Sequence, residues 1–200
     1  MHSHFHDAWE FERRKFLEFA AGATAAGAIV SPRARADAKP PPPTGKAGDF
    51  DFLSGEWKIH NRWFDGEKWL EFEGEATVTG ILKGLASIEE LRIPARQFSG
   101  MGLRLLDVER KLWADYWVPG DKGVMGSSPA WGSFSDGVGL WDADEESEGQ
   151  PIIVRGAWDQ ITKTSCRWYQ ASSKDDGKTW TESWIMHWTR VKAPAQAAGK

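Results

Sequence analysis

The chain has 200 residues, which allows one domain with a short extension but not two full domains. It carries 25 Lys and Arg against 29 Asp and Glu residues, so its formal net charge is −4, and this balance argues against a nucleic-acid-binding protein, which needs a concentrated basic face. The single cysteine, Cys166, excludes an internal disulfide framework and a cysteine-based zinc site.

The N-terminal segment has the three parts of an export signal. A basic start at 13–15 is followed by a short apolar stretch over 19–30, and an Ala-Arg-Ala sequence at 34–36 forms a small-residue cleavage pattern. The paired arginines resemble the twin-arginine signal, which the machinery that exports folded proteins recognises. We therefore predict a signal peptide over 1–36. An amphipathic helix of the mature domain is the alternative, which the lack of a polar face disfavours.

This signal predicts a periplasmic or otherwise exported protein with no membrane span, since the apolar stretch is shorter than the ~20 residues that cross a bilayer. Export would also remove the three N-terminal histidines and leave only His60 and His187. A three-histidine metal site is then excluded in the mature monomer, and we predict neither metal nor cofactor. Residues 37–48 contain four consecutive prolines and are predicted to be an extended spacer, and residues 193–200 a disordered tail.

Between residues 49 and 192 we predict one β-barrel domain. Short runs rich in Trp, Val, Ile, Phe and Thr recur along this region and are separated by turn residues, which is typical of an antiparallel meander. Asp-Gly pairs that start at positions 65, 136 and 176 suit tight hairpins. The predicted strands span 55–64, 69–81, 86–93, 101–106, 111–118, 130–134, 138–141, 152–158, 165–171 and 179–191.

Sequential strands without a long crossover can form either a sandwich or a closed barrel. We predict an all-β, up-and-down antiparallel barrel of about ten strands, because closure removes exposed edges. In the first strand, Trp57, Ile59 and Trp63 share a face, and His60 lies on the opposite, outer face. In the last strand, alternation predicts an inward aromatic face that contains Trp180, Glu182, Trp184, Met186, Trp188 and Arg190.

Two features resemble the calycin superfamily, which includes lipocalins and fatty-acid-binding proteins. Gly55 and Trp57 open the first strand in a Gly-x-Trp motif, and Arg190 closes the last. The resemblance implies that the Arg190 guanidinium packs over the Trp57 indole, a cation–π contact worth about 1–2 kcal/mol when partly desolvated. More specifically, the chain resembles a bacterial lipocalin-like family of unknown function in three strings, Phe50–Trp57, Leu103–Asp107 and Asp175–Trp180. This resemblance implies a fold but no catalytic residues.

The string Ser173–Trp180 is similar to the Asp-box of sialidases, a hairpin turn remote from chemistry. The resemblance implies that Asp175 binds backbone donors within the turn and that Trp180 packs under it. A propeller would repeat the motif, whereas this chain has one copy, so we predict a structural role.

The aromatic content favours ligand binding as the function. The chain has 13 tryptophans, and a barrel of about ten strands is wide enough that side chains need not fill it. We predict an exported barrel that binds a small hydrophobic or aromatic ligand. The predicted ligand-binding residues are Trp57, Trp63, Trp184, Met186 and Trp188 along the wall, with Arg104, Tyr116 or Glu182 fixing a polar group, while Gly55, Trp57 and Arg190 form the structural signature.

Three alternatives stay open. The first is a cofactor-free lyase, isomerase or hydrolase in the same barrel, which would use Glu182, Tyr116 or His60 as acid or base. The second is a haem-binding barrel of the nitrobindin kind, in which a β-bulge turns His60 inward. In the third, the tryptophans only pack the interior. The sequence assigns no catalytic residue.

Overall fold

A computed structural model of the chain describes residues 42–126, 128–147 and 149–192. The predicted signal peptide at 1–36, the spacer residues 37–41 and the predicted tail at 193–200 lie outside the described residues. Within these described ranges, no helix has the length and hydrophobicity that crossing a membrane requires.

Ten antiparallel strands in sequential order close into one barrel, as the sequence predicts. Each strand pairs with its neighbours along the chain, and the pairing of the first strand with the last closes the ring. Single 3-10 turns occupy Asp51–Leu53, Leu82–Gly84 and Pro94–Arg96. The strands are β1 Gly55–Phe64, β2 Trp69–Ile81, β3 Ala86–Ile93, β4 Phe98–Asp107, β5 Leu112–Pro119, β6 Ala130–Ser135, β7 Val138–Ser147, β8 Gln150–Asp159, β9 Ser165–Ser173 and β10 Thr181–Lys192.

Side-chain alternation gives the barrel an aromatic inner face and a polar outer face. In β1, every second residue from Gly55 to Trp63 is buried, and the residues between them are exposed or half-buried. Residues opposite one another on antiparallel strands point to the same side. Ile59 lies opposite Gly74 of β2 and Trp188 of β10. Inner positions are therefore aligned across neighbouring strands.

The segment before β1 plugs one end of the barrel. The ring of Phe50 lies 4.9 Å from that of Trp113, 5.1 Å from that of Phe134 and 5.5 Å from that of Trp141. Leu53 is also fully buried. These contacts remove the apolar face of the segment from water, which stabilises the closed end.

Residues 42–48, part of the predicted spacer, also bind to this end of the barrel. The Gly45 N–H donates to the Lys111 carbonyl at 2.8 Å, and the Gly48 N–H donates to the Gly84 carbonyl at 2.9 Å. The barrel unit therefore includes residues before position 49.

Arg190 ties β10 to the plug. Its guanidinium carbon lies 4.1 Å from the centroid of the Trp57 ring, the contact that the Gly-x-Trp resemblance implies. Its Nε donates to the Lys163 carbonyl at 2.8 Å and its Nη1 to the Ser54 carbonyl at 2.5 Å, and its Nη2 donates to the Phe52 carbonyl. One side chain thus joins the last strand, the loop before β9 and the segment that closes the barrel.

The wall is weakest between β5 and β6. Only three residue pairs join these strands, and the last of them is Asp115 with Ala130. Beyond that pair β5 continues to Pro119, and the segment 120–129 leads back to β6. The strand pairing of the barrel wall is therefore interrupted on this side, and Asp115 lies at the edge of this gap.

Replacing Arg190 by Met is expected to lower the free energy of unfolding by about 2–3 kcal/mol, because the change removes the cation–π contact and leaves carbonyls without their charged donor. Urea unfolding followed by tryptophan fluorescence measures the effect.

Arg92→Met is the matched control. Arg92 also makes three side-chain hydrogen bonds, to Glu75, Glu90 and Thr77, but on the outer face. Its loss is expected to cost less than about 1 kcal/mol. Equal losses in the two variants would contradict the role assigned to Arg190.

Candidate functional site

A cavity of about 90 Å³ lies inside the barrel beside the gap between β5 and β6. Gly126 and Ser128, which lie between β5 and β6 in the sequence, form part of its wall. The rest of the wall is mainly apolar and aromatic, and its large apolar side chains include Trp117, Trp141, Trp158, Trp168, Met186 and Trp188.

The strand register places a row of polar residues across this wall. Ser87 of β3 lies opposite Arg104 of β4, Arg104 lies opposite Asp115 of β5, and Asp115 lies opposite Ala130 of β6. Glu89, two residues after Ser87, lies on the same inner face. Three charged side chains are therefore neighbours inside an otherwise aromatic barrel.

Arg104 joins the two carboxylates. Its Nη2 donates to Glu89 Oε2 at 2.7 Å, and its Nε lies 3.6 Å from Asp115 Oδ1. The side chains of Arg104 and Glu89 are 6% and 4% exposed, whereas that of Asp115 is 26% exposed. The guanidinium carbon also lies 5.1 Å from the ring centroid of Phe50 and 5.4 Å from that of Trp158. The plug is therefore in contact with the charged cluster.

Burial raises the pKa of Asp115 to about 6, and the charge of Glu89 adds to this rise, while the charge of Arg104 opposes it. For Arg104, burial lowers the pKa, but the charges of Glu89 and Asp115 outweigh that effect and the net pKa is raised. The guanidinium therefore stays protonated, and Asp115 exchanges its proton near neutral pH. A carboxyl group at a cavity with such a pKa is suited to acid–base chemistry.

Cys166 is not suited to act as a nucleophile. The residue is 3% exposed, and burial, followed by the charge of Glu89, raises the pKa of its thiol to about 12. Because the thiolate is the reactive form, the thiol is unreactive at neutral pH.

Buried N–H groups of the cavity wall lack an acceptor among the described residues. They are Arg104 Nη1, Trp158 Nε1 and Trp188 Nε1. The rings of Trp158 and Trp188 lie 5.3 Å apart, and Trp158 also contacts the Arg104 guanidinium, so the three side chains are contiguous. A buried donor without an acceptor costs about 1–3 kcal/mol. These N–H groups have almost no accessible surface themselves, so the cost falls on the packing behind the cavity wall.

The indole of Trp141 differs from the indoles of Trp158 and Trp188. Trp141 also lines the cavity, but its Nε1 donates to the Trp113 carbonyl at 3.2 Å. Its N–H is already used within the fold.

The predicted ligand-binding residues lie at the cavity wall, elsewhere in the barrel core or, in the case of Glu182, on the outer face. Arg104, Tyr116, Met186 and Trp188 contribute to the cavity wall. Tyr116 lies opposite Leu103 at an outward position of β5, next to the gap.

Trp57, Trp63 and Trp184 are buried on the inner face but pack elsewhere in the barrel core. Trp57 lies under Arg190 at the plugged end. The Trp184 Nε1 donates to Asn61 Oδ1 at 3.0 Å.

Glu182 is on the outer face, and the predicted inward orientation is wrong. A register irregularity between Glu182 and Trp184 shifts the alternation of β10. Glu182 pairs with Ala171, and its Oε1 lies 3.5 Å from Arg167 Nη1. Strict alternation cannot anticipate such a bulge.

Trp180 also differs from its predicted inward position. It precedes β10, the guanidinium carbon of Arg155 lies 3.8 Å from its ring centroid, and Arg155 is bonded to Asp142 on the outer face. The hairpin that resembles an Asp-box has the expected bonds, since Asp175 Oδ1 accepts from the Thr179 N–H at 2.8 Å.

His60 lies on the outer face, as alternation predicts. It lies opposite His187, and its Nδ1 is 2.9 Å from Glu73 Oε1. In the part of the chain that the structure describes, no histidine therefore lines the lumen, and the residue set does not fit a haem ligated by His60 inside the barrel.

Sequence reasoning did not assign Asp115, Glu89 or Trp158 to the site. A usable signal for Asp115 is present, because it stands between Trp113 and Trp117 at the same phase of β5. Because alternation places the side chains of Trp113 and Trp117 inside the barrel, it also predicts that the Asp115 carboxylate between them points inward.

No family model and no curated protein matches the chain. Among solved structures, it is similar to a protein of unknown function from the DUF3598 family of Nostoc punctiforme, at 13% identity and a TM-score of 0.47. The similarity covers 77% of this chain and 53% of the other, so the chain spans about half the length of that structure.

Asp115→Asn is expected to remove a pH dependence of stability. The pKa of Asp115 is about 6 in the folded chain and about 3.9 in an unfolded one, so the folded state binds more protons in this window and stability falls as pH rises through it. The full fall corresponds to about 3 kcal/mol.

Urea unfolding of both proteins at several values between about pH 4 and about pH 7 measures the effect. The stability of the variant relative to the wild type is expected to increase with pH and to level off above the folded pKa. A difference that stays constant across this range would contradict the assignment.

Proposed function

We propose that the protein binds a small aromatic or hydrophobic molecule inside the barrel. The observation that carries the proposal is a cavity with mainly aromatic walls that also holds the cluster of Arg104, Glu89 and Asp115. Ligand sites are typically concave and mostly apolar, with a few polar groups that fix the orientation of the ligand. The cavity volume of about 90 Å³ suits a single ring.

Different parts of the wall would have different roles in binding. Met186, Trp168 and Trp188 would contact the apolar body of the ligand, and Arg104 with Asp115 would orient its polar group. Entry would take place at the gap beyond Asp115, where segment 120–129 replaces strand pairing.

We also propose, from the sequence, that residues 1–36 direct twin-arginine export and that the mature protein acts in the periplasm or outside the cell. N-terminal sequencing of the exported protein is expected to begin at Asp37. A relationship to the calycins is a further part of the proposal, and the packing of Arg190 over Trp57 supports it.

A second candidate function is acid–base catalysis in the same lumen, and Asp115 is the observation that favours it. Its pKa of about 6 and its position beside Arg104 suit the removal of a proton from a carbon next to a carbonyl group, with Arg104 stabilising the oxygen. Returning that proton to another carbon would complete an isomerisation. Deuterium exchange into the methyl group of acetophenone, compared between wild type and Asp115→Asn, separates catalysis from binding alone.

Filling the cavity is expected to abolish binding without unfolding the barrel. Gly156 lines the cavity, and a Cβ added there meets Trp168 Nε1 at 3.6 Å, an ordinary contact. The methyl groups of Gly156→Val would therefore occupy ligand space. We expect a saturable change of tryptophan fluorescence with ethylbenzene or acetophenone, and an affinity at least about tenfold lower in the variant.

Thr189→Val serves as the control, because Thr189 is exposed on β10 and outside the cavity. It is expected to bind both ligands like the wild type. Saturation that is unaffected by Gly156→Val would place the ligand elsewhere, and the absence of any saturable change would contradict the proposed function.

A further inference from the structure

We propose that the cavity is selective for a small organic cation, an amine in its ammonium form that carries an apolar group, over neutral and anionic molecules of the same size. The carboxylate of Asp115 would bind the ammonium group, and the aromatic wall would contact the rest of the ligand. This inference rests on the proposed function and specifies the class of ligand.

The first argument is the net charge of the cluster. Arg104 Nη2 lies 2.7 Å from Glu89 Oε2, so these two charges compensate each other. Asp115 is a second carboxyl group beside the same guanidinium, 3.6 Å from its Nε. Among the described residues that line the cavity, Arg104 is the only cation. Two carboxylates and one guanidinium leave one negative charge, which is costly in a poorly solvated place unless a counter-ion joins it.

The second argument is the surface that each charged group offers to a ligand. Asp115 lines the cavity, and 26% of its side chain is accessible, against 6% for Arg104 and 4% for Glu89. Nε and Nη1 of Arg104 have almost no accessible surface, and Nη2 is bonded to Glu89. A molecule in the cavity therefore meets the carboxylate of Asp115 more than the guanidinium, and a carboxylate attracts a cation and repels an anion.

The third argument is the composition of the wall. The electron-rich face of an indole attracts a cation, and Trp is the side chain that does so best. The guanidinium carbon of Arg104 already lies 5.4 Å from the ring centroid of Trp158. An aromatic wall therefore suits an organic cation better than an aliphatic wall would. The tryptophans that line the cavity are Trp117, Trp141, Trp158, Trp168 and Trp188.

Neutral and anionic ligands fit this charge pattern less well. A neutral alcohol can donate a hydrogen bond to Asp115, but it leaves the negative charge of the cluster uncompensated. A carboxylate ligand would add a further negative charge beside Asp115, which is costly in a poorly solvated place. An ammonium group donates hydrogen bonds and also supplies the counter-charge.

Calorimetry with four single-ring probes tests the inference. The probes are benzylamine, benzyl alcohol, ethylbenzene and benzoate, which share a ring and differ in the attached group. At about pH 7 we expect benzylamine to bind at least about tenfold tighter than each of the others, because a hydrogen bond between charged partners is roughly twice as strong as a neutral one.

Asp115→Asn removes the charge and keeps the shape of the side chain. It is expected to lower the affinity for benzylamine by at least about tenfold and that for benzyl alcohol by less than about threefold. Asp136→Asn is the matched control, because it makes the same change in an exposed turn outside the cavity wall. The φ of 52° at Asp136 suits asparagine. This control is expected to bind benzylamine like the wild type.

The pH dependence of binding tests the same point on the unaltered protein. Asp115 has a pKa of about 6, and its charged neighbours are Glu89 of β3 and Arg104 of β4. The Cys166 thiol of β9 interacts with both and, with a pKa of about 12, stays neutral. Across β6, Asp115 faces Ala130, which has no charge. The affinity for benzylamine is expected to rise about tenfold from about pH 5 to about pH 7.5, as Asp115 loses its proton.

The outcomes separate this inference from the proposed function. Binding of benzyl alcohol, ethylbenzene or benzoate as tightly as benzylamine would overturn the selectivity for a cation and leave a ligand-binding barrel. A benzylamine affinity that is unchanged in Asp115→Asn would overturn the role of Asp115. If that variant does not fold, a benzylamine affinity that is constant between about pH 5 and about pH 7.5 would overturn it instead. Binding of none of the four probes would overturn both the inference and the proposed function.

Discussion

The closure of β1 on β10 is the constraint on which the rest of the molecule depends, and Arg190 secures it. The guanidinium covers Trp57 and binds carbonyls of the segment that precedes β1. That segment carries Phe50 into the barrel, where its ring meets both the aromatic floor and the guanidinium of Arg104. The contact that closes the barrel therefore also holds in place the ring that packs against the charged cluster.

The cavity exists because the interior is tightly packed at some positions and open at others. On the inner face, a Cβ added at Gly132 would lie 2.6 Å from the ring of Trp141, so this glycine is needed for close approach. At Gly156 the same addition meets Trp168 only at ordinary contact distances. The short β5–β6 ladder is the second feature, because the strand pairing beside the cavity stops at Asp115 and Ala130.

The sequence predicted the fold well where local signals act alone. The bounds of β1, β2 and β3 agree with the predicted strands, since Asp65-Gly66 forms a tight turn between uninterrupted alternating runs. β7 extends to Ser147 instead of position 141, because Asp142 forms two hydrogen bonds to Arg155 across the sheet, a partner that a local pattern does not show. The bulge in β10 moved Glu182 outward for a similar reason. Among the residues of the site, part of the apolar wall was predictable from the sequence. The cluster of Glu89 and Asp115 around Arg104 was not, because it depends on the register between β3, β4 and β5.

That cluster is difficult to explain as a device for stability. A buried ion pair recovers in attraction little more than the cost of removing two charges from water, and well-packed apolar residues often stabilise a protein more. Here the cost is larger, because a second carboxyl group lies 3.6 Å from Arg104 and buried N–H groups lack acceptors among the described residues. The same row adjoins the cavity and the β5–β6 ladder, which has three residue pairs and is the shortest among the described strands. We therefore attribute these polar groups, which cost stability beside a cavity in an aromatic lumen, to the proposed function and not to the stability of the fold.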